Sequence, residues 1–154
     1  MKLRLELDKS IEEEEVVIRC REMNDQIRQI QQALEDITAA KQRFVFYKGN
    51  TEYYISLDQI LFFETEEKII FAHTANDMYQ VKYRLYELEE FLPGHFLRIS
   101  KSTILNTEKV YAIRRNLTAS SEVEFQNTHK QVFVSRAYYK SLRHKLEEKR
   151  NYYV

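Results

Sequence analysis

Phe96-Leu97-Arg98-Ile99-Ser100-Lys101-Ser102-Thr103-Ile104-Leu105-Asn106, followed by Lys109-Val110-Tyr111-Ala112-Ile113, is the stretch on which the reading of this chain turns. Its first half alternates, with Phe96, Arg98, Ser100 and Ser102 on one side of an extended segment and Leu97, Ile99 and Lys101 on the other. The segment breaks where small hydroxyl and cationic groups cluster. Ser and Thr hydroxyls beside Lys and Arg are the groups that bond phosphate and reach base edges. An ordinary edge strand with two solvated charges would look the same in isolation. What shifts the odds is the position of the stretch, ahead of Lys109, Arg114, Arg115, Lys130, Arg136 and Lys140.

The total charge argues the other way. The 154 residues carry 24 Lys plus Arg and 24 Asp plus Glu, a net of zero, whereas a nucleic-acid binder usually has a basic excess. Divided along the chain, the balance disappears. Residues 1–40 hold 6 basic and 10 acidic side chains, residues 41–96 hold 6 and 9, and residues 97–154 hold 12 and 5. The segments are therefore −4, −3 and +7, a sign asymmetry that suggests a basic C-terminal surface facing a polyanion. A solvated C-terminal face is the plainer alternative.

Working outward to the N-terminus, Leu3, Leu5 and Leu7 alternate with Lys2, Arg4 and Glu6, the pattern of a half-buried strand. Glu12–Glu15 lead into Val16-Val17-Ile18, expected as a second short strand. From Asn24 or Asp25, either a good N-cap, Ile27, Ile30, Leu34 and Ile37 recur at helical spacing. This stripe packs on the two strands or serves a dimer or partner surface; both readings stay open, because about 40 residues build only a thin core. Beyond Thr38–Lys41 the period shortens. Arg43–Lys48, Glu52–Ser56, Gln59–Glu64, Lys68–His73 and Met78–Lys82 read as strands rich in Phe, Tyr, Ile and Val. Leu85, Leu88, Phe91 and Leu92 mark a helix that Pro93-Gly94 stops. Strands resume at Leu97–Ile99, Lys109–Arg114, Val123–Gln126 and Gln131–Val134, and Ser135 can cap a last helix bearing Tyr138, Leu142 and Leu146. The expected class is mostly β with α (α+β), as a β-β-α module over 1–41 and a mostly-β domain over 42–154.

Composition narrows the function. With only Gly49, Gly94 and Pro93, the chain cannot form a P-loop or a dinucleotide fingerprint, both of which need several glycines beside phosphate. No cofactor is expected. No apolar run approaches the roughly 18 residues of a membrane span, and MKLRLELDKS lacks a signal-peptide apolar region. Cys20 has no second cysteine to pair with, so a cytoplasmic location is expected. In an alternating strand Cys20 would point away from Arg19 and Arg21 and be buried. His73, His95, His129 and His144 are too scattered to ligate a metal. Glu64, Glu66 and Glu67 cluster as paired acid/base carboxylates would, but three acids at a hairpin end are expected to be solvated. No nucleophile-base-orienter set is found, so neither an enzyme nor a small-molecule substrate is expected.

Four fragments, taken in order, carry a resemblance. They are Tyr54-Ile55-Ser56-Leu57-Asp58-Gln59-Ile60-Leu61-Phe62-Phe63-Glu64, then Leu85-Tyr86-Glu87-Leu88-Glu89-Glu90-Phe91-Leu92. Phe96-x-Arg98-Ile99-Ser100-Lys101-Ser102-x-Ile104-x-Asn106 and Val132-x-Val134-Ser135-Arg136-x-Tyr138 follow. From roughly Phe44 to Leu146 the chain resembles the LytTR-type DNA-binding domain of bacterial response regulators. The resemblance implies an elongated stack of small antiparallel β-sheets with short helices, which lays loops into successive grooves of double-stranded DNA. It also implies paired direct-repeat sites and a homodimer. The turn at Glu66, Glu67 and Lys68 matches the loop that enters one major groove, Lys101 the position that reaches the minor groove, and Arg136 the region that reads the second major groove. Arg98, Ser102, Lys109, Arg114, Lys130 and Lys140 would engage phosphate or support those contacts. Ser100, where many members have histidine, and Asn106 complete the candidate set.

Two features depart from the family pattern. The first loop is acidic, which repels phosphate and leaves Lys68 as its DNA contact. The N-terminal 40 residues cannot supply a receiver domain of about 120 residues. The chain therefore resembles short regulators encoded beside a small inhibitory membrane protein, and control by a partner protein is expected. The alternative is a protein-interaction or ligand-sensing β-domain without DNA binding.

Overall fold

A computed structural model describes residues 1–12, 14–41 and 44–151. The chain divides into two compact units, Met1–Asp36 and Ile37–Val154. In the first, neither expected strand forms. Leu3, Leu5 and Leu7 are 102%, 84% and 91% exposed, and Val16 and Val17 are exposed too. Two short strands with no third layer bury too little to hold together, so the β-β-α module is reduced to its helix. Cys20 is exposed, not buried. Helix α1 (Asp25–Lys41) is capped by Asn24 and not by Asp25, the Asn24 Oδ1 accepting the Ile27 N–H at 3.0 Å. Of its apolar stripe, Ile27 is buried and Ile37 exposed.

The second unit is built from ten strands and two helices among the described residues. Seven strands form one antiparallel sheet: β1 (Phe46–Lys48), β2 (Thr51–Tyr53), β3 (Phe62–Glu66), β4 (Ile69–His73), β5 (Met78–Val81), β6 (Phe96–Arg98) and β7 (Thr103–Asn106). Their order is β2-β1-β5-β4-β3-β7-β6. A second sheet, ordered β10-β9-β8, contains β8 (Val110–Arg114), β9 (Ser121–Phe125) and β10 (Gln131–Val134). The helices are α2 (Leu85–Phe91) and α3 (Arg136–Asn151). The fold class is thus mostly antiparallel β with short helices, but one sheet is larger than expected.

Strands β3 and β7 lie in the middle of the layers. Phe63 and Ile104 face a core completed by Phe46, Ile70, Val81 and Leu88 of α2. Their neighbours Phe62 and Leu105 face the opposite core, with Val123, Phe125, Val132 and Val134 of the second sheet and Leu142 of α3. Each fully buried aromatic or aliphatic side chain contributes about 1.5–3 kcal/mol. Burial on both faces explains why β7 does not alternate and was not expected as a strand: Thr103, Ile104, Leu105 and Asn106 are all buried. The expected strand at Gln59–Glu64 instead begins at Phe62, because Leu57–Gln59 closes a 3-10 turn behind Ser56.

Candidate nucleic-acid interface

Antiparallel register brings three loops to one end of the large sheet. The β3–β4 turn lies beyond Glu66, which pairs with Ile69. Beside it, the bend at Ser100–Ser102 joins β6 to β7, and the Thr65 N–H donates to the Ser102 carbonyl at 2.8 Å. The start of α3 is tied to the same bend, since the Ser135 N–H donates to the Ile99 carbonyl at 3.0 Å. The Ser135 carbonyl in turn accepts the Tyr138 and Tyr139 N–H groups and opens the helix.

The bend is held from inside. Arg98 donates from Nε to the Ser100 carbonyl at 2.8 Å and from Nη2 to the Lys101 carbonyl at 2.5 Å, while Nη1 pairs with Glu89 of α2 at 3.2 Å. The alternation expected from the sequence therefore ends at Arg98, whose guanidinium folds back under the turn. Ser100 Oγ accepts the Ser102 N–H at 3.2 Å. With the carbonyls occupied from below, Lys101 projects into solvent.

The turn at Glu67 and Lys68 is strained. Both residues adopt positive φ, 49° and 70°, the conformation of a two-residue hairpin that usually employs Asn and Gly. Glu66, Glu67 and Lys68 are all exposed. Arg136 begins α3, and Lys140 lies one turn along it; both are exposed. Arg114 ends β8 at the same end, opposite Glu122, with carboxylates of Glu122 and Glu124 each 3.7 Å away and 75% of its side chain exposed. Arg115, outside the candidate set, lies 5.2 Å over the Tyr139 ring of α3. Nothing in the local periodicity pairs Arg115 with α3; only the fold brings them together.

Three candidates are placed elsewhere. Asn106 is fully buried: its Nδ2 donates to the Ile60 carbonyl at 2.9 Å and its Oδ1 accepts the Glu108 N–H at 3.1 Å. It presents nothing to a ligand and instead fixes the crossing from β7 into the next turn. Lys130 lies at the opposite end of the sheet, donating to the Asp77 carbonyl at 2.5 Å and standing 3.3 Å from Nδ1 of His73. Burial lowers its pKa from the ordinary lysine value. Lys109 is exposed at that far end, beside an open groove of about 600 Å³ also lined by Asp58, Thr74, Asn76, Glu108 and Tyr111.

The far end is the more tightly built. His73 stacks on Phe62, ring centroids 4.3 Å apart, and Phe62 stacks on Phe125 of the second sheet at 5.6 Å. Burial first, and the Lys130 charge second, lower the His73 pKa to about 4. Glu64, expected as a solvated acid, is partly buried, and desolvation followed by the Glu66 charge raises its pKa.

The LytTr DNA-binding domain family matches residues 50–147. The chain belongs to this family. Relatives from Staphylococcus aureus strains NCTC 8325 and COL, named as HTH-type transcriptional regulators, are 31% identical over 146 residues, covering 95% of this chain and 98% of theirs. A solved LytTr DNA-binding domain from Bacillus cereus superposes with a TM-score of 0.63 at 21% identity, covering 68% of this chain and 97% of that one. That likeness is one of fold. Among the described residues no short turn joins two helices, because β1–β5 separate α1 from α2 and β6–β10 separate α2 from α3.

Proposed function

We propose that the protein is a cytoplasmic, sequence-specific regulator of transcription that binds double-stranded DNA through the three gathered loops and has no catalytic activity. The observation that carries this reading is the pair of backbone hydrogen bonds, Thr65 to Ser102 and Ser135 to Ile99, that brings Lys68, Lys101 and Arg136 to one end of the sheet. Lys101 and Arg136 contact bases or groove edges. Lys68, Arg114, Arg115 and Lys140 engage phosphate, with Ser102 beside them. Arg98 and Ser100 shape the bend, and Asn106 and Lys130 maintain the fold. The sites are paired direct repeats bound by a homodimer, and a partner protein, such as a small membrane protein, controls occupancy. No helix of the described residues is long and apolar enough to cross a membrane.

Selection of bound DNA from a random pool, followed by a salt titration, tests this. The log-log slope should be about −0.9 for each phosphate neutralised, and the repeat spacing reports dimer geometry. A flat salt response on the selected DNA overturns the reading. The exposed acids Glu66 and Glu67 favour a second one, a protein-interaction domain without DNA binding. Failure to select any DNA, together with tight binding to a protein partner, would support it.

A further inference from the structure

We propose that residues 2–8 pair with the same residues of a second copy of this chain, as an antiparallel β-ribbon centred on Leu5. The segment reads Lys2-Leu3-Arg4-Leu5-Glu6-Leu7-Asp8, and its charges are self-complementary about the middle residue. Laid against itself antiparallel with Leu5 opposite Leu5, it sets Lys2 against Asp8, Leu3 against Leu7 and Arg4 against Glu6. The two-fold axis repeats each of these pairs. Four ion pairs then occupy one face and six leucines the other.

The charge pattern disfavours the neighbouring arrangements, since each slip by two residues keeps two opposite-charge pairs in place of four and adds a like-charge one. A slip by two residues in one direction places Arg4 against Arg4, and in the other Glu6 against Glu6. Parallel in-register pairing opposes like charges at every polar position. Directly opposed like charges destabilise a strand pair, so the pattern specifies one register and rejects its competitors.

The structure supplies the vacancy for such pairing. Leu3, Leu5 and Leu7 are at least 84% exposed, and no strand of the same chain pairs with the segment among the described residues. Arg4 and Glu6 already share one side, 2.7 Å apart, as an extended backbone requires. A two-stranded ribbon needs a further apolar layer to persist, and exposed Val16, Val17 and Met23 of the same unit offer one. The proposal deepens the homodimer named above and does not depend on DNA binding.

A charge swap on the full chain, followed by sedimentation equilibrium without DNA, tests it. One variant carries Lys2→Glu with Arg4→Glu, the other Glu6→Lys with Asp8→Lys. Each alone should weaken the dimer on the order of a hundredfold, because four favourable cross-strand pairs become repulsive. An equimolar mixture should recover a dimer, since the two altered segments are fully complementary. A wild-type monomer, a wild-type dimer constant in either variant alone, or a mixture that stays monomeric each overturns the proposal. In a Cys20→Ser background, Leu5→Cys should link to itself on oxidation, and Leu3→Cys should link to Leu7→Cys in preference to itself. Self-linking of Leu3→Cys as fast as of Leu5→Cys would overturn the register. Random-pool selection with the wild-type chain reports DNA binding separately, so failure of one proposal is distinguishable from failure of the other.

Discussion

At one end of the seven-stranded sheet, Lys68, Lys101 and Arg136 stand exposed, and their side-chain nitrogens have no hydrogen-bonding or ion-pair partner among the described residues. At the other end Lys130 is held by the Asp77 carbonyl and His73, and Lys48 by the Asp77 carboxylate. The residue types are the same, and the surroundings decide what each does. A cation whose donors are already engaged contributes to the fold and has few of them left for a ligand. A cation raised on a braced turn costs the fold little and keeps its field for a polyanion. The comparison also separates two kinds of arginine within the loop end: Arg98 is consumed by the bend, whereas Arg136 is displayed by it.

The largest expected effect falls at the satisfied end. Phe62 bridges His73 and Phe125 and is 3% exposed. Phe62→Ala should lower unfolding stability by about 3–5 kcal/mol, measured by chemical denaturation. A loss below 1 kcal/mol would mean that the two sheets are not joined through this stack.

The next test sets the two ends directly against each other. Arg136→Ala and Lys101→Ala should each cost about 1–3 kcal/mol in binding to the selected DNA, with denaturation midpoints unchanged. Lys130→Met should do the reverse, leaving DNA affinity intact while lowering stability by about 0.5–1.5 kcal/mol, because the Asp77 carbonyl keeps the Thr74 N–H but loses the ammonium as a further donor. Equal losses of DNA affinity in Lys130→Met and Arg136→Ala would erase the distinction between the ends.

How far this was legible in sequence depends on what kind of signal each residue leaves. The alternating strands and the helix stopped at Pro93-Gly94 follow from local period and turn chemistry. The order of the resembling fragments pointed to the family. Strand β7 was hidden because both of its faces are covered, which removes alternation. The N-terminal strands differ for the opposite cause: alternation is present, but among the described residues no strand of the same chain pairs with the segment, and Leu3, Leu5 and Leu7 stay exposed. For the site, Lys101 and Arg136 are candidates that the fold leaves exposed, the first on the bend and the second on the opening turn of α3. Asn106 and Lys130 could not be told apart from them, because the Ile60 and Asp77 carbonyls that engage them lie 46 and 53 residues away. A side chain's donors are visible in a sequence; the carbonyls that engage them across a fold are not.

A smaller effect should appear with pH. His73 has its folded pKa lowered to about 4 from an ordinary value of 6.5. Between these values the unfolded chain binds more protons than the folded one, so the stabilisation is fully present above pH 6.5 and is lost as pH falls toward 4. Allowing for partial solvent screening, the loss should be on the order of 1–2 kcal/mol. Glu64, with a raised pKa, acts in the opposite direction, so the His73→Gln difference isolates the histidine. Stability curves for wild type and His73→Gln with equal slopes over this window would contradict the buried neutral ring. Lys130→Met should shrink the slope part-way by removing the nearby positive charge.

The smallest expected effect sharpens the loop end. Glu67 and Lys68 hold positive φ without being glycine, and the left-handed conformation costs such a residue about 1 kcal/mol. Glu67→Gly should therefore raise stability by about 0.5–1 kcal/mol while removing an acidic group from the surface assigned to DNA. Both changes are favourable, so the wild-type residue needs a reason that neither stability nor non-specific affinity supplies. The acid is expected to discriminate: Glu67→Gly should tighten binding to unrelated DNA more than to the selected site, lowering the ratio of the two affinities. If the ratio is unchanged while stability rises, the acidic tip serves neither the fold nor the choice of sequence, and the protein-interaction reading gains the residue instead.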